Sequence, residues 1–555
     1  MQCEVESLDP THCLSSRSTG FSSACSCHPG RWLIAVTVML LCSLELSACS
    51  NNSSGGGTGG NSGGPPAASA GTLTYRNDNA RSGLNLQEVI LTPANVNPAT
   101  FGLLFSYPVD GFVYAQPLYM PNVTIGGQVH NVLFVGTEHD SVYAFDADNP
   151  ASGLLWQTSF INPDVGVTTV PLSDFTCTEI GTENGITSTP VIDPASGTLY
   201  VVAMTKENGT YVYRLHALDI VTGADMTSME IQASVQGTGD GSDGSTVSFD
   251  PFQHKQRAAL LLSNGIVYVA FASQCDITPY HGWLFGYDAT SLALLSVFND
   301  TPNGNDGGIW NGGPSADANG NLFVITGNGT FDGFAGQDWG DSFLRLTAGL
   351  AVVDFFTPFN QADLAANDLD LGSAAPLLLP DQAVGPPHLL VSGGKEGRIY
   401  LVNRDNMGQF QSGSDSQIVQ EIVGQLAFEL FITPTYFNNI VYFAAHDDVL
   451  KAFSLVNGQL SMSPVAQGAT PFSYPGAEVT ISANGSSNGI VWALETENTV
   501  LHAYLAANVA NELYNSTMNP NDTLEQSTTF LVPTVANGKV YVGTMSHVSV
   551  FGQLS

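Results

Sequence analysis

Basic side chains are scarce in this chain: 14 Lys and Arg stand against 49 Asp and Glu over 555 residues, a formal net charge of −35. A field of that sign repels phosphate backbones and anionic lipid surfaces, which argues against nucleic acid as a partner. Cysteine is equally thin where it matters. Of the 8 cysteines, Cys3, Cys13, Cys25, Cys27, Cys42 and Cys49 precede the body of the chain, leaving only Cys177 and Cys275 within it. Those two can pair if the protein is exported, since disulfides persist outside the reducing cytosol, but spacing does not fix the pairing. No Gly-x-Ser-x-Gly, P-loop or Rossmann fingerprint is placed before a helix and no HExxH occurs, so hydrolase, zinc-protease and nucleotide-dependent readings lack support. The Glu138-His139-Asp140 and Cys275-Asp276/His281 groups carry metal-capable types without a tight ligand spacing and read as loops between strands.

What is abundant is 43% hydrophobic residues with 58 Gly and 29 Pro, the composition of a large core cut by many turns. The N-terminus differs. Trp32 to Leu44 is nearly all apolar, follows Arg31 and ends in Leu46-Ser47-Ala48-Cys49, the charged, apolar and small-residue order of an export signal. The run is short for a membrane span. Its ending resembles the bacterial lipobox, which makes Cys49 the expected lipidation site; an ordinary cleaved signal is the alternative, and Glu45 interrupts the pattern. Residues 1–30 carry no hydrophobic period and fit an upstream start codon. Residues 50–71 are a Gly/Ser/Asn-rich tether that cannot bury enough apolar surface to order itself. The expected division is therefore 1–49 extension and signal, 50–71 tether, and 72–555 folded body.

The body repeats a short unit: an alternating strand, an aromatic-Ala-x-Asp group, then a turn. Copies stand at Ser141-Val142-Tyr143-Ala144-Phe145-Asp146, at Leu215-His216-Ala217-Leu218-Asp219 and at Leu284-Phe285-Gly286-Tyr287-Asp288, with fainter echoes to Val548-Ser549-Val550-Phe551. Period-2 strands between Gly/Asn/Asp turns, without convincing amphipathic helices, predict an all-β repeat. Such sheets bury both faces only by stacking, and about eight units predict a β-propeller of four-stranded blades. Lys539-Val540-Tyr541-Val542-Gly543 is expected to help close the ring against the first strand.

The repeat resembles that of quinoprotein alcohol dehydrogenases and related propeller lipoproteins. Asp219-Ile220-Val221-Thr222-Gly223 matches their Asp-x-x-Thr-Gly corner, and Trp156 their blade-docking tryptophan. The resemblance implies pyrroloquinoline quinone (PQQ) near the propeller axis, a calcium ion beside it, and an Asp as general base. Gly307-Gly308-Ile309-Trp310 looks like the segment whose Trp lies beneath the quinone, making Trp310 a cofactor-binding candidate; blade packing is the alternative. Ile325-Thr326-Gly327-Asn328-Gly329 looks like the calcium-ligating strand end, nominating Asn328, although Asn-Gly is also the commonest hairpin turn. Glu207 stands at the offset of the family's calcium-binding Glu. After Thr357-Pro358 and an insertion, Phe359 to Ala366, Asp368 and Asp370 are the catalytic candidates, with Asp368 also a metal ligand. Two such carboxylates shift each other's pKa and can divide binding from proton transfer. Lys395 begins the Lys-x-Gly-x-x-Tyr strand whose Lys contacts a quinone oxygen.

The family's adjacent cysteine pair is absent. The resemblance thus implies either an exported, lipid-anchored PQQ/calcium oxidoreductase of the cell envelope acting on an alcohol or sugar, or a non-catalytic propeller lipoprotein that binds an envelope protein.

Overall fold

Every blade of this protein is built on an antiparallel meander, and the reason is local: many of its hairpins are set by a Gly, Asn or Asp that tolerates positive φ. Asn264 (51°) with Gly265 (76°) and Asn537 (50°) with Gly538 (76°) turn the innermost hairpins of two blades. The computed structural model describes residues 71–554, apart from 151–152, 178–180 and 334–335. The leader, Cys49 and the tether up to residue 70 lie outside them.

The architecture is the expected all-β propeller of eight blades. Blade 1 is Leu118–Ile125, Gln128–Gly136, Ser141–Asp146 and Leu154–Ser159. Blade 2 begins at Val191–Asp193, blade 3 at Leu261–Ser263, blade 4 at Ser315–Ala316 and blade 5 at Leu377–Leu378. Blades 6, 7 and 8 begin at Thr435–Phe437, Ala477–Asn484 and Thr534–Ala536. Apolar clusters fill the seams: Tyr200, Val202, Leu215 and Ala217 of blade 2 pack with Val267, Val269, Phe271 and Phe285 of blade 3. The Asp-x-x-Thr-Gly corner has a direct account. Asp219 Oδ1 accepts from the Val221 and Thr222 amides at 3.0 and 2.8 Å and from Thr222 Oγ1 at 2.8 Å. Trp156 of blade 1 donates to Ile220 O at 3.1 Å. A Cβ on Gly223 would stand 2.5 Å from that indole, so only glycine lets the blades dock here.

Ring closure differs from the expectation. Lys539–Gly543 is an interior strand, and the outermost strand of blade 8 is Phe101–Pro108, paired antiparallel with His547–Gln553. An outer strand drawn from the other end of the chain joins the termini and hides two sheet edges.

Residues 72–88 belong to no blade as a rung of the ring; they run inside it. Thr72 exchanges hydrogen bonds with Tyr119 of blade 1 at 2.8 and 3.0 Å, and Leu73 O accepts from Ile192 of blade 2 at 2.8 Å. Asn79 Nδ2 donates to Leu262 O of blade 3 at 2.8 Å, and Asn79 O accepts from Ala316 of blade 4 at 2.7 Å. Ala80 O accepts from Leu378 of blade 5 at 3.0 Å, while Arg76 donates to Thr435 of blade 6. Gly83 O accepts from Ile481 of blade 7 at 2.8 Å, and Asn85 Nδ2 donates to Val535 O of blade 8 at 2.8 Å. One segment therefore ties all eight blades. Its two arginines, Arg76 and Arg81, are wholly buried. Arg76 reaches Glu478 at 3.3 Å, and Arg81 donates to Pro314 O, Tyr75 O and Leu260 O at 3.0, 3.0 and 3.1 Å.

The direction of this axle follows from register. Thr72 bridges Tyr119 antiparallel, whereas Leu84–Asn85 lies parallel to Ile481–Ser482. Innermost strands all run toward their hairpins, so the segment climbs from the hairpin face, turns inside the ring, and descends to the same face. The opposite face, where innermost strands begin, is left open.

Candidate active site

On the open face, five of the residues marked by the sequence meet. Trp310 ends the connection into blade 4, which is bent at Gly307 (φ 112°) and Gly308 (φ 145°), a backbone that side chains rarely adopt. Asp300 holds that bend: its Oδ1 accepts from Gly282 N at 2.7 Å and its Oδ2 from Gly308 N at 2.8 Å. Burial pushes its carboxyl up to about 6. Gly327 keeps the centre open, because a Cβ there would lie 2.6 Å from both Trp310 Nε1 and Asp370 Oδ1.

Asn328 follows directly. Its amide donates to Asp370 Oδ1 at 2.8 Å and its Nδ2 to Asp368 Oδ1 at 3.0 Å. Its own Oδ1 is buried with no protein partner, as is Trp310 Nε1. Lys395 closes the group from blade 5, with Nζ 2.7 Å from Asp370 Oδ2 and 3.1 Å from Asp368 Oδ1. Burial alone would lower this ammonium, but Asp370 and Asp368 outweigh it and hold the proton on. The two carboxylates differ: the Asp370 side chain is 11% exposed and the Asp368 side chain 81%.

The insertion at Phe359 to Ala366 carries the acids to this place instead of diverting them. It forms the helix Gln361–Ala366, whose Gln361 donates to Gly329 O at 2.9 Å and to Asp341 Oδ2 at 3.3 Å. Asp341 Oδ1 in turn accepts from Leu371 N at 3.1 Å, fixing the chain just past Asp370.

Trp310, Asp368, Asp370 and Lys395 line a cavity of about 220 Å³ together with Asp276 and Arg257. Phe431, Tyr474 and Phe530 form its other side, with the Arg257 guanidinium 3.8 Å from the Phe530 ring centroid. Tyr75 of the axle lines a small adjoining recess together with Arg257 and Phe530. The axle thus passes beside the cavity.

Glu207 does not join this group. Both its oxygens are taken by Arg214, at 2.6 and 2.8 Å, and that guanidinium holds its carboxyl below the usual range. The second strand of blade 2 runs on through Thr198–Glu207, and its continuation carries Glu207 out to a hairpin instead of back to the axis. The acid that reaches the cavity is Asp276, which the sequence places in an apparent surface loop. Its signal was positional: Asp276 stands three residues beyond the strand Ile266–Ser273, as Asn328 stands three beyond Leu322–Ile325. Cys177 and Cys275 are bonded to each other. The disulfide flanks the cavity, sharing a recess with Lys255, Gln274 and Trp310.

No protein-family model matches the chain, and no curated protein sequence does. Its fold is shared with solved structures. Quinohemoprotein alcohol dehydrogenase from Comamonas testosteroni superposes with a TM-score of 0.56 at 15% identity, covering 88% of this chain and 81% of that one. The quinohemoprotein alcohol dehydrogenase ADHIIG from Pseudomonas putida HK5 gives 0.57 at 14% identity, covering 87% and 80%. A europium-containing methanol dehydrogenase gives 0.58 at 12%, covering 87% and 98%. At these identities the likeness establishes the eight-bladed quinoprotein-type propeller fold.

Proposed function

We propose that this protein is a quinone-dependent oxidoreductase, exported to a bacterial cell envelope and held there through Cys49, that oxidises an alcohol or sugar with PQQ and calcium. The observation that carries the reading is the convergence of Trp310, Asp368, Asp370 and Lys395, from blades 4 and 5 and the connections into them, on one cavity, with Asn328 bonded to both acids behind them. The donor set suits the groups named. A hard cation takes oxygen ligands, and the orphaned Asn328 Oδ1 lies beside Asp370 and Asp368. Asn328, Asp368 and Asp370 would hold calcium. Trp310 would offer its face to the quinone, and Lys395 a fixed charge to a quinone oxygen. When bound, the quinone supplies the two-electron acceptor.

The chain's own residues divide the remaining work. Asp370 is fixed, with one oxygen on Asn328 N and the other on Lys395, which suits binding. Asp368 stands at the mouth, and as the more exposed carboxylate it receives the proton of the substrate hydroxyl. Lys395 keeps that carboxylate aimed, with Nζ 3.1 Å from its Oδ1. The aromatic side limits water around the reacting hydroxyl.

One observation favours a second reading, a non-catalytic propeller that binds an envelope protein: Lys395 already balances the charge that calcium would meet. Reconstituting the full chain with PQQ and calcium separates the two. Quinone binding by absorbance, followed by dye reduction with an alcohol and sugar panel, is expected; no binding at micromolar PQQ with millimolar calcium would sink the enzymatic reading.

A further inference from the structure

The cavity is two-sided. Polar groups from blades 3 to 5 face an arc of aromatic rings contributed by the connections around blades 6 to 8. Phe431 meets Tyr474 edge-on at 5.2 Å, and Tyr474 meets Phe530 at 6.3 Å with the rings at 87°. The arc continues outward: His446 packs against Tyr474 at 5.5 Å and against Phe428 at 5.9 Å. Phe428 and Tyr474 are 52% and 45% exposed, large values for aromatic side chains held in place by their neighbours. Carboxylates border this ledge, with Glu429 Oε2 2.9 Å and Asp447 Oδ2 3.5 Å from the His446 ring nitrogens.

We infer that the ledge and the mouth of the cavity form a carbohydrate site, taking a pyranose whose C–H face lies on the aromatic rings while its hydroxyls meet Asp368 at the mouth and the Glu429 and Asp447 carboxylates that border the ledge. This names the substrate class of the site proposed above, and rests on that reading for turnover though not for binding. The alternatives fit the walls less well. A short alkanol has one hydroxyl and no extended C–H face to lay on the rings, and the wall of carboxylates opposite them is more than a largely apolar pocket for it would contain. An organic cation would favour rings backed only by acids, but Arg257 already covers the Phe530 face and Lys395 stands opposite. A pyranose is amphipathic in the same sense as the cavity, apolar on a face and hydrogen-bonding around its edge. The ledge beyond Tyr474 offers room for a second ring.

Binding is measured on the purified protein without quinone, by saturation-transfer NMR and calorimetry, with glucose, cellobiose, mannitol, 1-butanol and tetramethylammonium as probes. Glucose and cellobiose should bind, cellobiose more tightly, with transfer strongest at the C–H protons of one face. Tyr474→Ala and Phe428→Ala should each weaken cellobiose about tenfold, the scale of one lost aromatic contact, and Tyr474→Phe should retain binding. Circular dichroism checks that the variants are folded. The inference is overturned if neither sugar binds at millimolar concentration, if butanol or tetramethylammonium binds as well as cellobiose, or if Tyr474→Ala leaves a folded protein with unchanged affinity. Sugar binding without quinone binding would refute the oxidoreductase reading alone; quinone turnover of alkanols without sugar binding would refute this inference alone.

Discussion

Replacing Arg76 by Met should cost this protein several kcal/mol, and more at pH 8 than at pH 5. Arg76 is the charged centre of the axle: it donates to Arg81 O at 3.3 Å, to Pro434 O at 2.9 Å and to Thr435, and pairs with Glu478 at 3.3 Å. Both partners of that pair are fully buried. Removing one partner of a buried ion pair costs about 3–5 kcal/mol, because the other charge stays behind without compensation. Glu478 sharpens the test. Burial pushes its carboxyl from 4.5 up to about 7, against the pull of Arg76 and Arg257. The folded chain therefore holds a proton there that the unfolded chain has released between about pH 4.5 and 7. Stability from this group is full below that window and is lost as pH rises through it, by up to about 3 kcal/mol. At pH 5 Glu478 is neutral, and Arg76→Met forfeits hydrogen bonds only, about 1–3 kcal/mol. At pH 8 it strands an anion. Urea unfolding followed by circular dichroism at both pH values measures the difference, and Arg76→Met/Glu478→Leu should recover most of the pH 8 loss. A loss under about 1 kcal/mol at pH 8, or an equal loss at both pH values, would refute the argument.

Other outcomes follow from the site. Reducing the Cys177–Cys275 bond, or replacing both cysteines by Ser, opens a loop of 98 residues and should lower stability by about 4 kcal/mol, seen as a lower unfolding midpoint in dithiothreitol. Gly308→Ala puts a Cβ 2.9 Å from Trp310 Nε1 on a backbone at φ 145°, so it should displace the indole and alter quenching of Trp fluorescence by acrylamide while the far-ultraviolet spectrum stays unchanged. Lys395→Met removes the ammonium that Asp368 and Asp370 share, so terbium, read by sensitised luminescence, should bind about tenfold more tightly, a gain near 1.4 kcal/mol. Asp370→Asn should weaken terbium binding; a weaker response in Lys395→Met would count against the shared-charge account.

The sequence alone determined the fold class, because strand alternation, turn residues and a recurring Asp corner are local and each is encoded within a few residues. Short segments resembling those of quinoprotein alcohol dehydrogenases marked Trp310, Asn328, Asp368, Asp370 and Lys395, each of which sits at the end of a strand or turn whose pattern is short enough to read. They misplaced Glu207, because how far the strand Thr198–Glu207 runs past its neighbours is set by pairing across the hairpin and by Arg214, and not by the motif. They passed over Asp276, whose loop looks like any other until the blade turns it inward. They treated residues 72–88 as the start of the repeat, since nothing in Thr72 to Glu88 announces partners that lie up to 450 residues away. Only the tertiary structure decided that this segment is the axle and that the N-terminal strand Phe101–Pro108 completes the last blade. The physical reason is range: hydrophobic period and turn chemistry act between neighbours in the chain, whereas ring closure, burial of Arg76 and Arg81, and the meeting of acids with Lys395 are made between groups that only the closed ring brings together.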